Sequence, residues 1–403
     1  MAGPLAGIRV LDLSRVLAAP WAGQNLADLG AEVIKVERPG VGDDSRAFGP
    51  PWIKDVQGRD TKDSAYFTSA NRGKKSITVD LSKPAGQSIV RRLAEKSDVL
   101  LENYKFGDLD RYGLGFAQLK EANPRLVYCS VTGFGHTGPD RERPGYDFMI
   151  QGMGGMMSVT GDPDAGPQRA GVPVADIITG MYASIAVCAA LVHRAQSGKG
   201  QHLDLALLDS QIALLAYQNT NYFATGKPPR RIGNLHPNIV PYQPFRASDG
   251  DVILACGNDS LFRKFCDAAG CRELTADPRF ATNGKRVENR DELTRMLDAI
   301  FAKRTKKEWV ALLEGAGVPN GPINDIAQVF EEPQVKARGV KIEVPHPVAG
   351  TLPMVASPMR FSATPLEHTV PPPTLGEHTE EVLRGLLGAS AEEIARLREV
   401  GAI

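Results

Sequence analysis

The chain lacks the features that mark secreted and membrane-bound proteins. Its five cysteines, in 403 residues, form no Cys-x-x-Cys pair, a usage more typical of a reducing compartment than of a disulfide framework. The N-terminus shows no basic-then-apolar signal pattern, and no apolar run reaches the roughly 18 residues that a bilayer-spanning helix needs. These absences predict a soluble, cytoplasmic protein with no membrane partner.

An excess of charge of either sign is also missing. Lysine and arginine together number 47, and aspartate and glutamate together number 47. Nucleic acids and anionic surfaces are therefore not favoured as partners, because both select a strongly basic protein.

The loop after the first predicted strand lacks the dinucleotide fingerprint, and the motifs of P-loop, metal and serine-hydrolase sites are absent as well. The turn after the first predicted strand reads SRVLAAPWAGQ, without the GxGxxG that dinucleotide binding requires, and no GxxxxGK[ST] occurs. The seven histidines show no HxxxH or HExxH spacing, and no GxSxG elbow is present. We therefore expect no bound metal and no permanently bound cofactor.

Alternating strands and helices predict an α/β fold that begins with a βαβ unit. The predicted strands are 8–14, 31–37, 75–81, 98–103 and 125–133, with helices at 20–30 and after an expected Ser82 cap with Pro84 in the first turn. Two long helices are predicted over 176–197 and 203–222. This pattern indicates a Rossmann-like, doubly wound sheet without the dinucleotide fingerprint.

The chain after residue 222 has a different character. A basic, proline-rich stretch at 223–240 is typical of a linker, and 242–257 predicts a hairpin that turns at Asp249-Gly250. A helix over 305–317, a strand over 340–347 and a final helix with Ser390 and Glu393 in capping positions follow. The segment after the linker is long enough to form a small α+β domain.

Three loops with basic and aromatic residues follow predicted strands. They are VERPGVGDD, ANRGKKSITVD and ENYKFGDLDRYGLG. Ligands of doubly wound sheets bind at the carboxyl ends of the strands, so these loops together favour a phosphate-bearing ligand held by side chains. Solvated loop charges are the alternative for any single loop.

One carboxylate stands out among apolar neighbours. The stretch GVPVADIITGMYAS places Asp176 at the head of a predicted helix, with no basic residue nearby. Its local sequence favours a helix N-cap, a common use of aspartate.

The set of motifs resembles class III (CaiB/BaiF-type) CoA-transferases, a family that also contains 2-methylacyl-CoA racemases. The stretches that carry the resemblance are DLSRVLAAPWAGQNLADLGAEVIKVERPGVGDDSR, SANRGKKSITVDL, ENYKFGDLDRYGLG, GFGHTGPDRERPGYD, GVPVADIITGMYAS and GQHLDLALLDSQ. The resemblance implies a large CoA-binding domain from 1–222 and 331–403, a linker and small domain at 223–330, and an interlocked homodimer.

The resemblance also implies roles for individual residues. Asp176 matches the catalytic aspartate, and Tyr146 a tyrosine at the thioester end of the ligand. Residues that match positions contacting coenzyme A are Leu17, Arg38, Val79, Asn103, Tyr104 and Arg111. The sequence departs from formyl-CoA transferases at Leu17, which is polar there, and at Phe106-Gly107, where Pro-Gly is usual.

The sequence says less about which carboxylic acid accepts coenzyme A. Basic residues that suit a dicarboxylate are Arg143, Arg169, Arg230, Arg231 and His236, and GNLHPNIVPYQPF resembles dicarboxylate transferases that use succinyl-CoA. The glycine run of formyl-CoA transferase is reduced to CGND, in which Gly257 and Asn258 are expected to contact the substrate.

The implied chemistry is CoA transfer through an aspartyl anhydride and an aspartyl-CoA thioester, with the acyl-CoA as substrate. Backbone donors near glycines 152–155 or CGND are candidates for the oxyanion site, and close helix packing is the other use of such glycines. A racemase is one alternative, although that branch has histidine at the position of Tyr146, and tyrosine, with a pKa near ~10, is a poor base. A non-catalytic CoA-binding protein is the other.

Overall fold

The computed structural model describes residues 3–403, and the chain divides into two compact units. The first unit contains the chain up to Met156, Ala170–Gly226 and Gln334–Ile403, and the second contains Met157–Arg169 and Lys227–Pro333. The segment 157–169 joins the second unit, whereas the sequence analysis assigned it to the large domain. Hydrogen bonds explain this, because the Gly233 N–H donates to the Gly161 carbonyl and Arg231 donates to that of Ala165.

The chain forms thirteen β-strands within residues 3–403. In chain order they are β1 Arg9–Asp12, β2 Glu32–Glu37, β3 Trp52–Lys54, β4 Asp60–Ser64, β5 Lys74–Thr78, β6 Val99–Glu102, β7 Val127–Thr132, β8 His202–Ala206, β9 Tyr242–Ala247, β10 Gly250–Ala255, β11 Asn320–Pro322, β12 Lys341–His346 and β13 Gly350–Val355. The central strands β1, β2, β6 and β7 follow apolar runs of the sequence.

The helices range from single turns to one helix of 24 residues. In chain order they are α1 Ala18–Asp28, α2 Ala65–Thr68, α3 Pro84–Glu95, α4 Asp108–Arg111, α5 Phe116–Ala122, α6 Asp147–Met153, α7 Met156–Val159, α8 Val174–Ser197, α9 Leu207–Leu214, α10 Tyr217–Thr225, α11 Asp259–Ala269, α12 Glu273–Ala276, α13 Asn283–Glu288, α14 Arg290–Phe301, α15 Lys306–Gly315, α16 Ile326–Glu331, α17 Pro333–Ala337, α18 Thr379–Leu387 and α19 Ala391–Glu399, with a 3-10 helix at Asp44–Ala47.

The first unit is built on a parallel sheet in the order β5-β2-β1-β6-β7-β8. The register sets Val10 of β1 beside Val33 of β2 and Val99 of β6. Chain order reverses between β1 and β6, which makes this pair the topological switch point where doubly wound sheets bind ligands. The prediction of an α/β fold with a parallel sheet is confirmed.

Alternate side chains of the strands pack against helices on both faces of the sheet. On one face Leu11, Ile34 and Leu100 pack with α3, α5, α18 and α19, so the end of the chain completes this core. On the other face Val10, Val99 and their neighbours pack with α1, α6, α8 and α9. Burial on both faces explains why these strands are almost continuously apolar.

The predicted helix over 203–222 is wrong. Its first part is β8, which pairs with β7 at the edge of the sheet, and the rest is the two short helices α9 and α10. Ala216 separates them with a φ of 46°, a left-handed conformation that interrupts a helix. The run LDLALLDSQIALL is apolar at both strand and helix spacing, so periodicity did not decide between them.

Two local predictions are corrected. Lys83, not Ser82, is the N-cap of α3, with Pro84 in the first turn, because the Ser82 hydroxyl instead donates to Asp80. The predicted hairpin is β9–β10, but Gly250 pairs with Ala247. Its turn is therefore Ser248-Asp249, one residue earlier than expected.

The second unit has its own core. The hairpin β9–β10 continues to β11 in an antiparallel sheet, and aromatic rings stack beneath it, with ring centroids of Phe301 and Trp309 at 4.3 Å and of Phe245 and Phe301 at 4.6 Å. The predicted helix 305–317 is α15, which begins with a capping box between Thr305 and Glu308.

Helix α8 carries an apolar face that the first unit does not bury. By length and composition it could cross a membrane, a test that core helices also pass. Ala175, Val187 and Leu191 are buried, whereas Ile185 and Val192 are exposed. Close packing with α1 requires glycine at 180, where a Cβ would lie 2.4 Å from the Ala18 carbonyl oxygen.

Candidate active site

A cleft opens at the switch point of the parallel sheet. Its volume is about 280 Å³, and its walls include Leu17 from the loop after β1 and Asn103 from the loop after β6. Tyr146 and Asp176 complete the wall on the side of α6 and α8. Residues far apart in sequence meet here because parallel strands deliver their carboxyl ends to one edge.

Asp176 occupies the first turn of α8 without capping it. The N-cap of α8 is Pro173, and no side chain of the helix itself caps it. Within residues 3–403 no hydrogen bond or ion pair reaches the Asp176 carboxylate. The helix-cap interpretation of Asp176 is therefore wrong, and its carboxylate faces the cleft.

The Asp147 side chain accepts backbone N–H groups at the start of α8, where a helix can stabilise an anion. Its Oδ1 accepts the N–H groups of Ala175, at 2.8 Å, and of Asp176, at 3.3 Å. Its Oδ2 accepts from Gln151, whose buried amide also accepts the Ala170 N–H. Asp147 thus fixes the start of α8 to the start of α6 and leaves Asp176 without these donors.

The environment of Asp176 disfavours its charged form. Burial, and then the nearby charge of Asp147, raise the pKa of Asp176 to about 7, because removal from water and a like charge both favour the neutral acid. A helix start ordinarily favours an anion, but here Asp147 occupies the backbone donors. A carboxylate so destabilised is a stronger nucleophile than an exposed one.

The negative charges of the same carboxylates act on Tyr66, a residue of α2. Burial, followed by the charges of Asp176, Asp147 and Asp43, raises the pKa of Tyr66 to about 12. Its phenol therefore keeps its proton at neutral pH and remains a hydrogen-bond donor near the cleft.

The loop between β1 and α1 is held in a strained conformation. Val16 has a φ of 70°, which is unusual for a β-branched residue. Its N–H donates to Asp43 at 3.0 Å, and the Asn103 amide holds both the N–H and the carbonyl of Arg15. Although burial alone would raise the pKa of Asp43, Lys35 and backbone donors lower it to about 2, so this anchor stays ionised.

A second cleft of about 230 Å³ begins on the other side of Arg15 and Tyr104. It is lined by Arg38 and Val79, and both clefts share Arg15 and Tyr104. The Arg15 guanidinium lies over the Tyr104 ring at 5.3 Å. We call these two clefts, which adjoin at Arg15 and Tyr104, the groove.

Most of the residues singled out in the first unit meet at this groove. Leu17, Arg38, Val79, Asn103, Tyr104, Arg143, Tyr146 and Asp176 all line one cleft or the other. Arg111 lines neither, because its side chain is 71% exposed and pairs with Asp108 three residues earlier.

Similarity to known proteins decides the family. The sequence profile of CoA-transferase family III matches residues 5–379. The chain belongs to CoA-transferase family III. This confirms the resemblance, and with it the prediction that the protein is a class III CoA-transferase.

Several family members are similar over nearly the whole chain. A succinate–glutarate CoA-transferase of Agrobacterium fabrum is 49% identical over 95% of this chain and 96% of its own. A mouse succinyl-CoA:glutarate CoA-transferase is 43% identical over 99% and 90%, respectively. The crystal structure of a CAIB/BAIF family protein from Brucella suis is 51% identical, with a TM-score of 0.84 over 96% of this chain and 100% of that one.

Six substrate candidates of this CoA-transferase lie in the second unit, namely Arg169, Arg230, Arg231, His236, Gly257 and Asn258. His236 accepts the Asn238 N–H, and burial and Arg290 lower its pKa. Asn258 is the N-cap of α11, where it accepts the Leu261 N–H at 2.9 Å. Gly257 has open space around its Cα.

The glycines at 152–155 are not among the residues that line the cleft around Asp176. A Cβ at Gly154 would lie 2.5 Å from Gln211, so the small size of Gly154 allows α6 to pack on α9. In the described part of the chain no group of histidine, cysteine and carboxylate residues could hold a metal ion.

The sequence analysis missed Asp147, Tyr66 and Arg15. Asp147 directly follows Tyr146 in RPGYD, but only the folded chain brings it to the start of α8. Arg15 follows β1, so the rule that had identified Arg38 would have found it too.

We predict that Asp176→Asn stabilises the protein at neutral and alkaline pH. The folded-state pKa of Asp176, about 7, lies above the ordinary value of 3.8, so ionisation destabilises the fold progressively from pH ~4 to 7. The gain in Tm over the unsubstituted protein should grow across this window and level off above pH 7. Thermal unfolding measured from pH 4 to 9 checks this.

Asp209→Asn, at an exposed aspartate on α9, is the matched control and should change Tm little at any pH. A gain for Asp176→Asn that is independent of pH would contradict the raised pKa.

Proposed function

We propose that this CoA-transferase moves coenzyme A from a short acyl-CoA to a carboxylic acid, with Asp176 as the covalent nucleophile. The observation that carries the proposal is the uncompensated Asp176 carboxylate at the end of a groove lined with cations and aromatic rings. Such a group suits acyl transfer between carboxylates, because it is both a nucleophile and a leaving group.

The transfer proceeds in four exchanges at acyl carbons. An Asp176 oxygen attacks the thioester carbonyl of the donor, giving a mixed anhydride and CoA thiolate. The thiolate then attacks the Asp176 carbonyl, releasing the donor acid and leaving an aspartyl-CoA thioester. The acceptor carboxylate attacks that thioester to form a second anhydride and free the thiolate. The thiolate finally attacks the acceptor acyl carbon, giving the new acyl-CoA and restoring Asp176.

The groove supplies the chemistry that coenzyme A needs. Arg38 and Val79 suit the nucleotide end, and Leu17, Asn103 and Tyr104 suit the chain that leads to the thioester. Arginine binds phosphate oxygens through paired N–H donors. Arg111, with its mostly exposed side chain, can reach a phosphate by rotation about its side-chain bonds.

A dicarboxylate is the acid that we propose, with succinyl-CoA as a donor. Relatives named for succinate and glutarate support this, and so does Arg143, which lines the same cleft as Asp176. Arg143 lies over the Phe134 ring and forms a long ion pair with Asp140, at 3.5 Å. A guanidinium held this loosely is available to a second carboxylate.

An interlocked homodimer is part of the proposal. The exposed apolar side chains of α8, including Met181, Ile185 and Val192, form a surface that monomers rarely leave open. A second chain would cover it, and a molar mass of a single chain in solution would contradict the dimer.

We predict that Asp147→Asn moves the acid limb of the exchange reaction to lower pH. The nucleophile must be ionised, so kcat/KM of the unsubstituted enzyme should fall below a pH of about 7, the pKa of Asp176. Removal of the neighbouring charge lowers that pKa while the amide oxygen still accepts the α8 N–H groups. Initial rates of succinyl-CoA exchange from pH 5 to 9 check the shift.

The same assay contains its controls. Asp176→Ala should abolish exchange, and Asp209→Asn should leave the limb in place. If Asp147→Asn does not shift the acid limb of the pH profile, a group other than Asp176 controls that limb.

We also predict that Arg143→Gln selectively impairs dicarboxylate acceptors. Loss of a charge-assisted contact should raise their KM about tenfold and leave monocarboxylates unaffected. The test is a screen of short acyl-CoA donors against mono- and dicarboxylic acids, with Arg59→Gln as the matched variant. Arg59 is an exposed arginine that pairs with Asp55 and lines neither cleft, so its loss should not change this selectivity.

Two results of the screen would overturn the proposal. Equal effects of Arg143→Gln on all acids would remove Arg143 from acceptor recognition. Loss of chirality from a 2-methylacyl-CoA without any acceptor acid would assign the site to a racemase.

A further inference from the structure

A buried network behind the groove has no part in the proposed chemistry. It surrounds Glu102, the last residue of β6, whose side chain is 3% exposed. No salt bridge to Glu102 occurs among residues 3–403, although an isolated buried carboxyl group is costly. Such a group is retained where its hydrogen bonds serve a purpose.

Glu102 holds the backbone at the corner where the two clefts meet. Its Oε2 accepts the N–H of Tyr104 at 2.8 Å. Between them, Asn103 binds the backbone of Arg15 through both ends of its amide, at 2.9 and 2.7 Å. A change in the geometry of Glu102 would therefore move Tyr104 and, through Asn103, the loop after β1.

Ser130 and His202 lie behind Glu102. The Ser130 hydroxyl lowers the pKa of the Glu102 carboxyl, as a donor beside an ionised group does, and it lies 2.9 Å from His202 Nε2. The His202 ring is stacked on Phe116, with ring centroids at 5.4 Å. Because a hydroxyl has one proton, Ser130 donates to Glu102 when that group is ionised and His202 then donates to Ser130.

The groups facing Glu102 make it titratable near neutral pH. Burial and the carboxylates of Asp110 and Asp204, acting against Ser130 and the Tyr104 N–H, together raise the pKa of Glu102 to about 7. The remaining titratable groups around it line one cavity of about 240 Å³, namely Lys105, Tyr128, His136 and His202. Burial and His136 lower the pKa of His202, against the carboxylates of Asp204 and Asp110, which favours the neutral ring.

We propose that Glu102 is a positioning residue for acyl-CoA binding, which acts through the backbone of Tyr104 and is held in place by Ser130 and His202. The inference rests on the proposed function, because it takes the groove as the coenzyme A site. An ionised Glu102 accepts the Tyr104 N–H in a charge-assisted hydrogen bond. The backbone of Tyr104 is therefore fixed more firmly above pH 7 than below it.

The experiment is calorimetric titration of free coenzyme A into the full-length Asp176→Asn protein, in which the catalytic carboxylate no longer titrates. In this background Glu102 is replaced by Gln, which keeps an acceptor oxygen, or by Leu, which does not, and each variant is compared with the parent protein. We expect Glu102→Leu to weaken binding about tenfold or more. At pH 6 the affinity of the Glu102→Gln variant for coenzyme A should stay within about threefold of that of the parent protein. The rise in affinity that we expect for the parent from pH 6 to 8 should be absent in this variant.

Two further variants keep the test decisive. Ser130→Ala removes the link to His202 but leaves the fold of β7 intact, so it should weaken binding even if Glu102→Leu does not fold. Glu121→Gln, at an exposed glutamate of α5, should bind as the parent does. In the active enzyme, Glu102→Gln and Ser130→Ala should raise KM for acyl-CoA more than they lower kcat.

The outcomes separate the two proposals. Unchanged affinity in both folded Glu102→Leu and Ser130→Ala would overturn the positioning role, as would equal losses for Gln and Leu. If the parent protein bound no coenzyme A at all, the proposed function itself would fail.

Discussion

The carboxylate of Asp147, placed between the starts of α6 and α8, is the contact on which the active-site arrangement depends. By accepting the N–H groups of Ala175 and Asp176, it docks the two helices and consumes the donors that would have stabilised an anion in the first turn. Its own charge then acts on Asp176. One side chain therefore fixes the position of Asp176, the proposed nucleophile, and adds to the effect of burial in raising its pKa.

This arrangement lowers the stability of the fold, as the arrangements at functional sites often do. The fold neutralises its other buried charges with nearby partners, for example Lys35 with Asp43 and Arg46 with Glu37. Asp176 and Glu102 have no such partner in the described residues, and burial raises the pKa of each to about 7. The first faces the groove and the second lies behind it, so both exceptions belong to the same functional region.

Sequence reasoning succeeded where local patterns determine structure and failed where tertiary contacts do. The strands of the parallel sheet are apolar runs between clear turns, so their positions and the βαβ start followed from the sequence. The stretch 203–222 did not follow, because LDLALL fits a buried strand and a helix equally, and only pairing with β7 decides. The family motifs pointed to Asp176, but its local context indicated a cap. The roles of Asp147, Ser130 and His202 depend on side chains that meet only in the folded chain.

The central claim is that Asp176 carries coenzyme A during turnover. The most direct test is to mix the protein with succinyl-CoA without an acceptor acid, quench, digest and analyse the peptide that contains Asp176 by mass spectrometry. The account predicts a CoA thioester on Asp176, which disappears on addition of the acceptor acid at least as fast as turnover. Rapid exchange with an unmodified Asp176 peptide, or with the adduct on another residue, would contradict it.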